Sequence, residues 1–290
     1  LATGDWVLVG AGRLHARVPA ESRLVRLDGE GVRHTLVANV DTVLVVMGLD
    51  DDWNLRRVER FVAVAHASGV EAALVLTKAD IADRDAGRRD ARLAELDRRF
   101  GTSLPWLAVD ATDPRTAGRC AEALGARLAA GRTLVLLGSS GAGKSTLTNT
   151  LLGRATQDTG PVRAHDSRGM HTTTARTLHL LPGGACIVDT PGVRTLRAEL
   201  DPAGVAASFG DIATLAARCR FRDCRHAGEP GCAVRAAVDP DRLHNFGKLL
   251  RESERDTVSW LDRRRQLGVW KARSKAARAA LASKRGALSS

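Results

Sequence analysis

Gly138-Ser139-Ser140-Gly141-Ala142-Gly143-Lys144-Ser145 follows the spacing GxxxxGK[ST]. That spacing does one kind of chemistry. The glycines let the backbone fold around a chain of phosphates, and successive N–H groups at the start of a helix supply a positive field. Lys144 reaches the β- and γ-phosphates, and the Ser145 hydroxyl ligates Mg²⁺. Thr146 opens the helical run Thr146–Leu152 and belongs to the same phosphate-binding stretch.

A second motif, Thr77-Lys78-Ala79-Asp80, selects the base. The Asp80 carboxylate accepts from guanine N1–H and the exocyclic amine, whereas adenine presents an acceptor that would repel it. The Lys78 stem lies over the base, and Thr77 completes the motif. A third, Asp189-Thr190-Pro191-Gly192, offers Asp189 to Mg²⁺ through water and the Gly192 N–H to the γ-phosphate. Upstream, His171-Thr172-Thr173-Thr174 lies in a polar stretch, and Thr173 is the candidate to complete the Mg²⁺ shell. These residues imply GTP as ligand and GDP as product.

Cys219, Cys224, His226 and Cys232 form a separate group with spacing Cx₄CxHx₅C. Three thiolates and one imidazole close a tetrahedral Zn²⁺ site with no open position, which makes the metal structural. Such a metal supplies folding energy to a segment with little core of its own. Arg218, Arg220, Arg222 and Arg225 interleave with the ligands.

The elements that must position these groups follow from apolar patterning. Asp5–Val9, His15–Val18 and Arg23–Leu27 read as short strands separated by turns, as in a small barrel. Thr42–Met47, Ala72–Leu76, Leu107–Val109, Thr133–Leu137 and Cys186–Val188 read as buried parallel strands, with helical patterns at Asn54–Ala67 and Asp90–Arg99. Strands alternating with helices make an α/β domain. Beyond residue 200 the strand signal stops.

The base motif precedes the phosphate loop, so the order is base motif, phosphate loop, first switch, second switch: a circular permutation of the usual GTPase. On these motifs, with Gly4-Asp5-Trp6-Val7, Ala38-Asn39-Val40-Asp41 and Gly169-Met170-His171, the chain resembles the circularly permuted ribosome-small-subunit-dependent GTPases (the RsgA family, also called YjeQ or EngC). The resemblance implies an OB-type barrel over residues 1–36, a permuted GTPase domain over 37–200 and a zinc-binding domain with a basic C-terminal helix over 201–290. It implies a GTPase that binds the small ribosomal subunit and its rRNA late in assembly and is released by hydrolysis. Thr77 stands where the family has Asn, and Asp110-Ala111 where it has Ser-Ala. Family barrels begin well before the Gly-Asp-Trp segment, so the barrel here is expected to be partial. Val193 follows Gly192 where many GTPases carry a water-orienting Gln, which leaves His171 beside Lys144 as the catalytic candidate.

Composition narrows the alternatives. Lys and Arg total 44 against 33 acids, a net charge of +11, which points to a polyanionic partner. Residues 261–290 carry nine basic side chains against the single acid Asp262, so the excess sits in one C-terminal arm. Aromatics are 3% with no Tyr, which excludes a broad base-stacking platform. No apolar run approaches a membrane span, and the odd cysteine count fits a reducing, cytoplasmic setting. The expectation is a cytoplasmic monomer without membrane contact. Two other readings stay open: an RNA-binding zinc protein with a regulatory nucleotide site, and a permuted GTPase with a non-ribosomal partner.

Overall fold

The computed structural model describes residues 1–28, 32–153, 177–189, 198–257 and Trp270. The chain opens with two antiparallel ribbons. β1 (Val7–Gly10) pairs with β2 (Arg13–Arg17), and β3 (Arg23–Leu27) pairs with β4 (Arg33–Ala38). Each ribbon shifts register once, between Leu8 and Val9 and between Leu24 and Val25. Such bulges bend a ribbon, as an OB-like barrel wall requires. β4 escapes a reading by alternation because three polar residues, Arg33-His34-Thr35, are followed by three buried apolar ones. The Gly-Asp-Trp segment packs under this end: the Asn39 amide donates to the Gly4 carbonyl at 2.8 Å, and the Asp5 carboxylate accepts from the Ala2 N–H.

β5 (Thr42–Gly48) is buried along its whole length, which demands a central strand covered on both faces. It lies within a six-stranded sheet with β6 (Glu71–Thr77), β7 (Trp106–Ala108), β8 (Thr133–Leu137), β9 (Thr177–Leu180) and β10 (Cys186–Asp189), in spatial order β7-β6-β5-β8-β10-β9. All neighbours run parallel except the edge strand β9. The helices of this region are α1 (Leu55–Ala67), α2 (Ala79–Ala82), α3 (Ala86–Phe100), α4 (Thr116–Leu124) and α5 (Lys144–Leu152). Alternate β5 side chains feed two cores. Val43, Val45 and Met47 pack with α1 and α3; Leu44 and Val46 pack with α4 and α5. Asn54 caps α1 by accepting from the Arg57 N–H, and Asp85 caps α3 from the Arg88 N–H. That cap starts α3 four residues before the sequence pattern does.

After the sheet, Ala198 bridges to Arg26 and the Glu199 N–H donates to the Val25 carbonyl at 2.9 Å, stitching the outgoing chain to β3. Among the described residues four helices follow: α6 (Pro202–Ser208), α7 (Gly210–Ala216), α8 (Ala233–Ala237) and α9 (Pro240–Thr257). They dock on α1 around one buried carboxylate. Glu59 of α1 accepts from Arg242 at 2.7 Å and from Asn245 at 2.5 Å, with Arg99 at 3.4 Å. Arg242 also clasps Asp211 with two bonds, at 2.8 and 3.0 Å, and lies over the Phe209 ring at 4.6 Å. Burial pushes the Glu59 carboxyl above its ordinary range, against the pull of Asn245 and the two guanidinium groups. Among the described residues no helix is long and apolar enough to cross a membrane.

Candidate functional site

The phosphate loop leaves the C-terminal end of β8 and enters α5, next to the ends of β5 and β6. Gly138 is fixed by contact: a Cβ there would sit 2.2 Å from the Val46 carbonyl oxygen, so only glycine lets the loop start this close to β5. Gly143 has φ +89° and heads α5, a backbone state that glycine adopts without steric cost. The α5 N-terminus therefore faces the loop with unsatisfied N–H groups.

Thr77 closes the base motif onto this loop. It is fully buried, and its hydroxyl donates to the Ala142 carbonyl at 2.6 Å. Lys78, at φ 61°, pairs through its ammonium with Asp50. Burial alone would raise the Asp50 carboxyl; Lys78 and the Asp52 N–H outweigh it and hold the group below its ordinary range. Asp80 is exposed in the first turn of α2, free to meet a base. The chain segment opposite β6 contributes as well: the Ala79 N–H donates to the Val109 carbonyl at 3.2 Å, and Thr150 of α5 donates to the Ala111 carbonyl at 2.6 Å. Residues 109–111 are thus tied to α2 and α5 through the Val109 and Ala111 backbone carbonyls, which any side chain at 110 or 111 would leave in place.

Lys144 is buried and folds back on its own loop, donating to the carbonyls of Ser139 at 2.7 Å and Gly138 at 3.0 Å. Burial lowers its ammonium pKa, opposed by Asp189 and Asp52. Asp189 ends β10, and its Oδ1 is buried with no hydrogen-bond partner among the described residues. An orphaned carboxylate oxygen is what a hard divalent cation or its water satisfies, so the Mg²⁺ assignment fits the residues present. Ser139, Ser140, Gly141, Ser145 and Thr146 are half-buried or exposed along the loop and helix start. His171, Thr173 and Gly192, like the basic arm 261–290 apart from Trp270, lie outside the described residues.

Sequence reasoning missed the acids Asp50-Asp51-Asp52. Asp50 holds Lys78, Asp51 pairs with Arg88 of α3 at 2.5 Å, and Asp52 accepts from the Ser139 hydroxyl while pairing with Arg57 at 2.7 Å. Their signal was placement: they directly follow a central strand, at the sheet edge where α/β proteins bind ligands.

The ligand atoms of Cys219, Cys224, His226 and Cys232 all lie within 4.8 Å of one another. Cys219 and Cys232 sulfurs are 4.0 Å apart, and His226 Nδ1 lies 3.7 and 3.4 Å from them. A zinc tetrahedron with Zn–S of about 2.3 Å has edges of about 3.8 Å, so the donor set and its spacing fit Zn²⁺. Glu229 braces the turn that carries His226. Its carboxylate accepts from the N–H groups of Gly228 at 3.0 Å, Arg225 at 3.0 Å and Ala227 at 2.8 Å. These bonds, the Gly228 one first, hold the carboxyl at about 2. Arg218, Arg220, Arg222 and Arg225 are all exposed around the cluster. Cys120, by contrast, is buried in the sheet's second core, and burial pushes its thiol up to about 11, so it takes no part.

Residues 17–199 match the RsgA GTPase family. A relative from Xylella fastidiosa (strain 9a5c), "Small ribosomal subunit biogenesis GTPase RsgA", is 50% identical over 85% of this chain and 72% of its own length. The second protein of that name in Vibrio vulnificus (strain CMCP6) is 42% identical over 92% of this chain and 76% of its own. Among solved structures, YjeQ from Thermotoga maritima superposes with a TM-score of 0.59 at 24% identity, covering 83% of this chain and 78% of that one. The circularly permuted GTPase YloQ gives 0.57 at 20% identity, covering 88% and 82%. These two share the fold.

Proposed function

The chain belongs to the RsgA family of GTPases, and on that premise we propose that it binds the small ribosomal subunit late in assembly and that GTP hydrolysis drives its release. The observation that carries the site assignment is the Thr77–Ala142 hydrogen bond. It supports a single nucleotide site by holding the base motif against the phosphate loop across a permuted chain.

In this reading Asp80 selects guanine, and the loop from Gly138 to Thr146 with Gly192 cradles the phosphates. Lys144 exchanges its two carbonyl partners for the β- and γ-phosphates, where charge develops in the transition state. Ser145, Thr173 and Asp189 would hold Mg²⁺, which supplies Lewis-acid stabilisation of the phosphate oxygens. Val193 has no group to orient water; His171 takes that role when the small subunit is bound. Zn²⁺ held by Cys219, Cys224, His226 and Cys232 fixes the knuckle that displays Arg218, Arg220, Arg222 and Arg225. These arginines and the arm 261–290 meet rRNA phosphates, which carry affinity but little sequence information.

A division into an N-terminal barrel region (1–36), a GTPase domain (37–200) and a zinc-binding domain (201–290) gives release a mechanical route. The second switch leads, through Ala198 and Glu199 paired with β3, to the docked C-terminal helices, so loss of the γ-phosphate repositions them. Affinity for purified small subunits, measured with a non-hydrolysable GTP analogue and with GDP, tests this. Tighter binding with the analogue is expected. Equal affinities would rule it out, because a nucleotide without differential affinity shifts nothing.

A further inference from the structure

Among the described residues, two side chains tether the phosphate loop. One is Thr77 on Ala142. The other comes from the loop between β5 and α1, where Asp52 accepts from the Ser139 hydroxyl. Asp52 is a costly choice for that task. It places a carboxylate against a loop built to receive three or four negative charges, and like charges at short range repel. Its charge already acts on Lys144. The structure supplies the answer in the first turn of α1, where the Arg57 guanidinium sits 2.7 Å from the same Asp52 oxygen. Arg57 is itself held in place, because its N–H is the group capped by Asn54.

We propose that Asp52 and Arg57 are a positioning pair for the phosphate loop: Asp52 fixes Ser139, and Arg57 neutralises Asp52 so that the tether does not repel the triphosphate. The pair touches neither guanine nor the reacting atoms; it acts through Ser139. The proposal rests on the reading of Gly138–Ser145 as the GTP phosphate site. It has a signature that a merely structural ion pair lacks. Removing Arg57 alone leaves the carboxylate unpaired beside the phosphates. Removing the Asp52 charge as well cures the defect, because Asn keeps an oxygen acceptor for Ser139 and drops the charge.

The test is equilibrium GTP and GDP binding to the full chain and to Arg57→Ala, Asp52→Asn with Arg57→Ala, and Lys144→Ala. Arg57→Ala is expected to weaken GTP binding by about ten-fold, and GTP more than GDP. The double variant is expected to recover to within about three-fold of the parent. Melting temperatures of the two variants separate this from folding: recovered GTP binding with little change in melting temperature between them assigns the recovery to the loop. Parent-like GTP binding by Arg57→Ala, or a double variant as weak as Arg57→Ala, would overturn the pairing. Undiminished binding by Lys144→Ala would instead overturn the site assignment and the pairing with it. If Arg57→Ala does not fold, Asp52→Ala and Ser139→Ala decide. Their combined loss should equal that of Asp52→Ala alone, and additive losses would contradict the tether.

Discussion

The Thr77 hydroxyl reaches the Ala142 carbonyl at 2.6 Å, while its other neighbour, the Met47 carbonyl, is at 3.4 Å. One hydroxyl proton serves one acceptor, so the bond to the phosphate loop is the one made. A shorter side chain than asparagine does the work because Gly143 lets the loop approach closely: a Cβ there would stand 3.1 Å from Thr77 Oγ1.

Thr77→Val is nearly isosteric and removes only the donor. It leaves a buried carbonyl unpaired, at a cost of about 1–2 kcal/mol, and frees the loop from the base motif. GTP affinity should fall by about ten-fold, with thermal stability lowered modestly. Thr77→Ser keeps the hydroxyl donor without added bulk and should bind within a few-fold of the parent. Titration of Thr77→Val and Thr77→Ser with GTP checks both, and an unchanged affinity in Thr77→Val would show that the tether is idle.

Glu59→Ala strips the acid from the interface of α1 with α9 and leaves Arg242 and Arg99 without it. Breaking one side of such a buried pair costs about 3–5 kcal/mol. Urea unfolding should show that loss. A drop below about 1 kcal/mol would mean that Asp211 and the Phe209 ring satisfy Arg242 unaided.

Asp241 gives a pH dependence. Its hydrogen bond to Arg56 holds the carboxyl at about 2, with Arg99 adding to this against some burial. The unfolded value is about 3.9. The folded pKa is the lower one, so the contribution to stability is complete above about pH 4 and is lost as pH falls toward 2. The side chain is 39% exposed, and solvent screening keeps the effect small. The melting temperatures of the parent and Asp241→Asn should differ at pH 6 and converge near pH 2. A difference constant across that range would contradict the assignment.

Metal analysis should find one zinc per chain, lost in Cys232→Ser. Cys232 both faces the metal site and caps α8, accepting from the Arg235 N–H at 3.4 Å. Chelation should therefore lower the melting temperature and expose the amides of α8 to hydrogen exchange. Unchanged exchange in α8 after complete zinc removal would separate the metal from the fold.

Much of this was legible in the chain itself. The strands β5, β6, β8 and β10 declare themselves as unbroken apolar runs, and the phosphate loop and zinc ligands are local patterns with fixed spacing. What escaped depends on distant pairing. β4 has no alternation because only its second half is buried. Asp50 and Asp52 look like ordinary loop acids until β5 lies between β6 and β8, which brings them to Lys78 and Ser139. Glu59 looks like a surface helix residue until α9, roughly 180 residues later, covers it with Arg242 and Asn245. Patterning reports which face is apolar and is silent on a buried charge whose partners lie that far along the chain.

The most direct measurement is GTP turnover by the full chain, alone and with purified small ribosomal subunits. Alone it should be slow, on the order of 10⁻⁴–10⁻² s⁻¹ as for unassisted GTPases. Small subunits should raise it by at least about ten-fold, within the range that water-positioning and charge-stabilising groups supply, and large subunits should not. Turnover that is the same with and without small subunits would contradict a ribosome-dependent GTPase.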